Sequence, residues 1–309
     1  MEPSQNKIFR GDNPAHRVPQ LSLLVDMDRP VHVLQETQAI SLMMHPDTDL
    51  APLKTLFKDI VDLFNGKFPG YQACSTGYHN LKHTTDITLA MARLIHGACV
   101  AGSKFSGRNM LLGIMAALFH DVGYIKEAND FIGTGAKLTA VHIPRSIRFM
   151  THYLTDRGYS QQDIQFIQNA IECTDLNKAL GSIRFNGEQG ELTGKMLAAA
   201  DLLAQTADRN YLEKLPFLFA EFKEAGLTDY QTELDLFKES LRFNEAMKQR
   251  LEMDLDGVNR FLPNHFEARW NIRKDMYQDS IDKSMQYLSS ILSQDSKNCS
   301  IYLRRKNGI

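Results

Sequence analysis

A chain of 309 residues, 43% of them hydrophobic and 23% charged, has the composition of an ordinary globular protein and can bury a substantial core. Its formal net charge of -2 gives no global field toward nucleic-acid polymers or anionic lipid. The longest apolar run, residues 111–119, is too short to span a bilayer, so neither polymer binding nor membrane insertion is expected.

Residues 1–50 read as an irregular N-terminal arm. Gly11, Pro14, Pro19 and Pro30 interrupt any periodicity, and the short apolar patches at 21–25 and 31–34 suit packing on a neighbouring body or pairing in a homodimer. The start, Met1-Glu2-Pro3-Ser4, lacks a basic and then apolar pattern. Four cysteines (Cys74, Cys99, Cys173, Cys299) lie far apart with no Cys-x-x-Cys. A cytoplasmic protein with reduced thiols is the expectation.

From 51 to 295 the pattern predicts one helical domain, followed by a polar tail at 296–309. Leu53, Leu56, Phe57, Ile60, Val61 and Phe64 share a face, with Pro52 in a first turn and Gly66 as a stop. After a loop at 67–77 comes Tyr78-His79-Asn80-Leu81-Lys82-His83, then a helix whose Ile87, Met91, Leu94 and Ile95 face inward. His83 precedes Ile87 by one turn and so points inward too, and His79 lies one turn earlier. A helix over 110–119 runs into His120-Asp121, with Gly123 just beyond. Residues 137–155 read as helical, kinked at Pro144 and carrying His142. Ile164, Ile167 and Ile171 lead to Thr174-Asp175-Leu176. Gln189-Gly190 breaks the chain before Ala198-Ala199-Ala200-Asp201-Leu202-Leu203, and amphipathic segments follow at 227–251 and 266–292. No stretch alternates as a strand does. The fold class is all-α.

Five polar residues sit in apolar helical contexts: His79, His83, His120, Asp121 and Asp201. Burying such a group unpartnered costs several kcal/mol, of the order of about 2–7. Taken singly, His120 suits a helix end that satisfies terminal carbonyls, and His79 suits an exposed helix start. Asp201, flanked by alanines and leucines, has no surface to reach. One divalent metal shared by His83, His120, Asp121 and Asp201 accounts for four of the five at once, through two nitrogens and two carboxylates. Asp121 has a second oxygen with which to bridge to another ion. Two ions would clamp a bridging hydroxide and a phosphoryl oxygen, and His79 would be free to protonate the leaving group.

The ordered set of His, His-Asp and Asp on helices resembles the HD-domain superfamily of metal-dependent phosphohydrolases. The closest likeness is to class I cyclic-nucleotide phosphodiesterases. Tyr78-His79-Asn80-Leu81-Lys82-His83-Thr84-Thr85-Asp86 resembles their Tyr-His-Asn-x-x-His-Ala-x-Asp signature. Phe119-His120-Asp121-Val122 is similar to their metal-binding doublet, and Asn129-x-Phe131 keeps its downstream spacing. Thr174-Asp175-Leu176 resembles their Thr-Asp-Met, and Ala200-Asp201-Leu202 their Ala-Asp-Leu.

The resemblance implies an HD/phosphodiesterase-like helical bundle with its metal site between the central helices. It implies His79 as general acid and His83, His120, Asp121 and Asp201 as ligands of divalent ions, two in number. The nitrogen-rich first site suits Zn, Fe or Mn, and the oxygen-rich second suits Mg or Mn. The reaction implied is hydrolysis of a small phosphate ester, a nucleotide, by a metal-bridging hydroxide. Tyr78, Tyr124, Glu127, His142, Thr174 and Gln205 are candidates for outer-shell or substrate contacts, with Glu172, Lys126 and Arg209 behind them.

The chain departs from that pattern at several points. Tyr124 stands where a histidine is expected, Val141 replaces the first of a histidine pair and Thr139 replaces an acid. Phe266-Glu267-Ala268-Arg269-Trp270 matches only loosely the region that carries the purine-gripping glutamine, and Ala204-Gln205 replaces a base contact. A cyclic nucleotide is the first substrate expected. The alternatives are a nucleotidase, another phosphomonoesterase or an alarmone hydrolase of the same superfamily and, from another class, a non-catalytic metal or nucleotide sensor.

Overall fold

The computed structural model describes residues 19–227 and 230–294. Residues 1–18 of the expected arm and the expected tail at 296–309, with Cys299, lie outside them. The described residues form twelve α-helices: α1 (Leu21–Leu24), α2 (Pro30–Met44), α3 (Ala51–Phe64), α4 (Leu81–Val100), α5 (Gly107–Phe119), α6 (His142–Thr155), α7 (Gln161–Glu172), α8 (Glu188–Ala207), α9 (Tyr211–Glu224), α10 (Glu233–Met253), α11 (Leu262–Trp270) and α12 (Met276–Gln294). Short 3-10 turns lie between some of them, including Val122–Tyr124 and Gly135–Val141. Pairing between extended segments is limited, among the described residues, to the isolated bridges Asn65–Ala73 and Tyr71–Glu127. The all-α expectation holds.

Helix α4 is the axis. It packs against α2, α5, α8 and α11, and Ile87, Leu89, Met91, Leu94 and Ile95 are fully buried on different sides of it. Each such burial stabilises by about 1.5–3 kcal/mol, so a helix covered all round anchors the helices that cover it. Close approach is possible because Gly97 has no side chain. A Cβ there would stand 1.9 Å from the Phe261 carbonyl oxygen. Local chemistry sets where the helices begin. Asn80 caps α4 by accepting from the His83 amide at 3.2 Å, Ser106 caps α5, and Ser160 with Asp163 makes a capping box on α7.

The structure corrects three sequence expectations. The stretch read as an irregular arm contains α2, fifteen residues long, whose Val33 and Ile40 are fully buried in the core. Pro30 occupies the first turn of that helix, where a missing amide costs nothing, and so starts it instead of breaking it. Pro144 likewise lies in the first turn of α6 and kinks nothing, because residues 135–141 are a separate 3-10 segment. Helix α9, between Asp201 and the expected segment at 227–251, was not expected at all. Among the described residues no helix is long and apolar enough to cross a membrane. Cys74, Cys99 and Cys173 are unpaired thiols.

Candidate metal centre

Four elements deliver the cluster. His83 stands in the first turn of α4, His120 caps the C-terminus of α5, Asp121 opens the following 3-10 turn, and Asp201 sits within α8. His83, His120 and Asp121 are buried and Asp201 is half-buried. Their side chains converge. His83 Nε2 is 3.1 Å from Asp121 Oδ2 and 3.5 Å from Asp201 Oδ1, and His120 Nε2 is 3.4 Å from Asp121 Oδ2. Ligand atoms sharing a metal through bonds of about 2.0–2.2 Å lie about 3.0–3.5 Å from one another, and the cluster has that spacing. One atom each from His83, His120 and Asp201 falls within 4.8 Å of the others, as does one each from His79, His83 and Asp121.

The histidines are oriented for such a role. His120 Nδ1 donates to the Ala117 carbonyl at 2.8 Å, which satisfies the end of α5 and leaves Nε2 as the lone-pair nitrogen. The helix-end reading of His120 is therefore true of one nitrogen only. Its Nε2 is buried and has no hydrogen-bond partner. An orphaned imidazole nitrogen facing two carboxylates is one that could hold a metal ion.

Electrostatics without an ion show the strain of the arrangement. Burial pushes the His83 pKa down to about 4. Burial also opposes charge on His120, but the charge of Asp121 prevails and raises it to about 9. Burial lifts the Asp201 carboxyl to about 6. It works against Asp121 as well, but His120 and His83 hold that group well below the usual carboxylate range. A proton on His120 thus occupies the lone pair that a metal would take, so the two compete.

His79 lies beside this set, just before α4. Its Nδ1 is 2.6 Å from Glu221 Oε2, and the other oxygen of Glu221 accepts from the Tyr78 amide at 2.6 Å. Glu221, on α9 and 5% exposed, therefore fixes both the ring and the backbone that carries it. Nε2 is the ring nitrogen that does not meet Glu221. Burial lowers the pKa of His79, but its hydrogen bond to Glu221 and the charges of Asp121 and Glu221 outweigh it, and the net shift is upward. Sequence reasoning missed Glu221. It is 142 residues from its partner and belongs to a helix that was not recognised.

Of the other candidates, several gather here. Tyr124 is sandwiched between two imidazoles, stacked on His79 at 4.5 Å and on His142 at 4.6 Å. His142 Nδ1 is bound to the Thr139 carbonyl at 2.6 Å, and its Nε2 is 3.7 Å from Asp121 Oδ1. The Tyr78 hydroxyl donates to Gln205 Oε1 at 3.0 Å, tying the loop before α4 to α8.

Others are spent elsewhere. The Thr174 hydroxyl donates to the Ile171 carbonyl at the end of α7. Glu172 pairs with Lys178 at 2.7 Å. Glu127 is half exposed and faces Arg145 and Arg148, each at 3.8 Å. The Lys126 ammonium is committed to the Gly133 carbonyl at 2.5 Å. Arg209 lines a separate surface cavity with Gln20 and Tyr287.

The chain matches the Npun_R2479-like family over residues 53–250, which takes in every residue of the cluster. The chain belongs to the Npun_R2479-like family. A comparison with curated proteins finds no match. The family description states no activity, so the chemistry of the cluster carries the functional reading.

Proposed function

We propose that the protein is a metal-dependent phosphohydrolase of the HD type, similar in design to class I cyclic-nucleotide phosphodiesterases. His83, His120, Asp121 and Asp201 would hold the ion. The observation that carries this reading is His79, anchored by Glu221 beside four converging ligand side chains. A metal-storage or purely structural site needs no oriented, proton-bearing imidazole next to it.

A divalent ion bound there supplies positive charge against phosphoryl oxygens and a nucleophile drawn from water near neutral pH. The chain does the rest. Glu221 raises the affinity of His79 for a proton and holds the ring in place, so that Nε2 would donate to the oxygen of the departing group. Tyr124 stacks on the same ring and prevents it from swinging out of line. Asp121 turns Oδ2 to His83 and His120 and Oδ1 toward His142, so a second ion, if one bound, would be held by Asp121 with few other protein ligands. Mg or Mn suits that position, and Zn, Fe or Mn the histidine-rich one.

The test is turnover of a cyclic nucleotide, a nucleoside monophosphate and a generic phosphodiester, each with Mn, Mg, Zn and Fe. The expected result is hydrolysis that requires metal and disappears in Asp121→Ala. A metal-loaded protein that binds nucleotide and cuts none of these esters would overturn the reading in favour of a sensor.

A further inference from the structure

Beyond the end of α7 lies a cavity of about 740 Å³, a size that accepts a nucleotide-sized ligand. Leu176, Leu180, Ile183 and Phe185 give it an apolar wall, and Lys178, Lys195 and Arg250 bring positive charge. The two lysines are neutralised where they stand. Lys178 pairs with Glu172 at 2.7 Å, and Lys195 with both Glu191 and Asp256 at 2.6 Å. Glu191 and Asp254 are also on the wall.

Arg250, on α10, differs from both lysines. Among the described residues it forms no ion pair. Its Nη2 reaches only the carbonyls of Cys173 and Asp175, at 3.3 and 3.4 Å, and its Nε is buried without any hydrogen-bond partner. A guanidinium offers five donors in a planar fork shaped for carboxylate or phosphate. One that is half-buried, with a donor orphaned and no counter-ion, is set for an anion that arrives from outside.

The cavity and the metal centre share helix α8. Helix α8 carries Lys195 on the cavity wall and Asp201 at the cluster, six residues and about 9 Å further along the helix axis. Arg250 is also close enough for its charge to act on the Asp201 carboxylate.

We propose that Arg250 binds a second anionic group of the substrate, one that is not cut, while the scissile phosphate lies at the metal centre. The substrate class is then a phosphate ester bearing a further phosphate or carboxylate, such as a nucleoside bisphosphate, with its base against Leu176, Leu180 and Phe185. This rests on the hydrolase reading for the cleaved group. It sharpens that reading by adding a preference for a second anionic group, which a cyclic nucleotide with its single phosphate does not carry.

Adenosine 3′,5′-bisphosphate and adenosine 5′-monophosphate serve as probes, with the metal-loaded full chain, Arg250→Ala and Arg250→Lys. Equilibrium binding and steady-state hydrolysis are measured on each. The native chain is expected to bind the bisphosphate at least tenfold more tightly than the monophosphate. In Arg250→Ala that preference vanishes, and any turnover of the bisphosphate shows a raised KM. Arg250→Lys restores only part, since a point charge replaces a fork. Equal affinity for the two nucleotides in the native chain, or a preference that survives Arg250→Ala, would overturn the assignment. Preferential, Arg250-dependent binding without hydrolysis of any ester would uphold this site and defeat the hydrolase reading alone.

Discussion

Glu221 Oε2 lies 2.6 Å from His79 Nδ1, and Glu221 Oε1 lies 2.6 Å from the amide of Tyr78. One carboxylate from α9 thus holds an imidazole and the peptide next to it, and it raises the affinity of that imidazole for a proton. A general acid must be protonated at the working pH, so activity falls as pH rises through its pKa. In Glu221→Gln the pKa of His79 drops, and the alkaline limb of the rate profile moves to lower pH. The rate above neutrality is expected to fall by about 10–100-fold, the size of effect that positioned acid–base partners produce. Metal content stays unchanged. A pH–rate profile together with elemental analysis checks this, and an unmoved alkaline limb would contradict it.

Replacing His79 by Ala separates proton donation from metal binding. All four proposed ligands remain, so metal content persists while hydrolysis slows by about 100- to 10,000-fold. The loss is expected to be greatest for esters with poor leaving groups, which need the proton most. Rates across a series of aryl phosphodiesters of graded leaving-group pKa check the point. A uniform loss across the series would count against His79 as the donor.

The turn after Asp121 tolerates no side chain at Gly123. A Cβ there would meet the His142 carbonyl oxygen at 2.0 Å and the Ser146 amide at 2.9 Å, and the Gly123 amide already donates to the Ser146 hydroxyl. Gly123→Ala must push α6 away from the turn. Overpacking of this kind typically costs about 1–3 kcal/mol, and here it displaces Asp121 from His142 as well. A lowered denaturation midpoint with weakened metal binding is the expected outcome. A variant as stable as the parent would show that the turn is looser than described.

Away from the centre, His265 and His96 meet in the core, Nδ1 to Nδ1 at 3.1 Å, near Arg93. Burial, with Arg93 and His96 adding to it, depresses His265 from 6.5 to about 2. The unfolded chain therefore binds this proton more readily than the folded one. The stabilisation is complete above about pH 6.5 and is lost as pH falls from there toward the folded value, at up to about 1.4 kcal/mol per pH unit. Urea unfolding at pH 7.5 and 5.5 should show a smaller pH-dependent loss in His265→Asn than in the native chain. Equal losses would assign the acid sensitivity to other groups.

How much of this was legible in the amino-acid order follows from where each signal resides. His83, His120, Asp121 and Asp201 stood out because each interrupts an apolar helix, and burial makes such an interruption conspicuous. Helix α2 was hidden by Pro30, which reads as a breaker until its position in the first turn is known. Glu221 was hidden for a different reason. Its helix holds Pro216 and charged neighbours that look solvated, and a pairing across 142 residues leaves no local spacing to detect. Glu127 was a candidate from its place in the sequence and Thr174 from its resemblance to a family motif, yet their polar atoms are engaged by the arginines of α6 and by the end of α7. Arg250 carried no signal at all, because only the fold reveals a cation that lacks a partner.

The central claim is that His83, His120, Asp121 and Asp201 form one metal centre. Calorimetric titration of the metal-stripped full chain with Mn²⁺, set beside the same titration of Asp201→Ala, tests it most directly. The expected result is saturable binding of at least one ion by the native chain, weakened more than about 100-fold in the variant, beyond what loss of an outer partner causes. Identical titrations for the two proteins, or no saturable binding by the native chain, would contradict it.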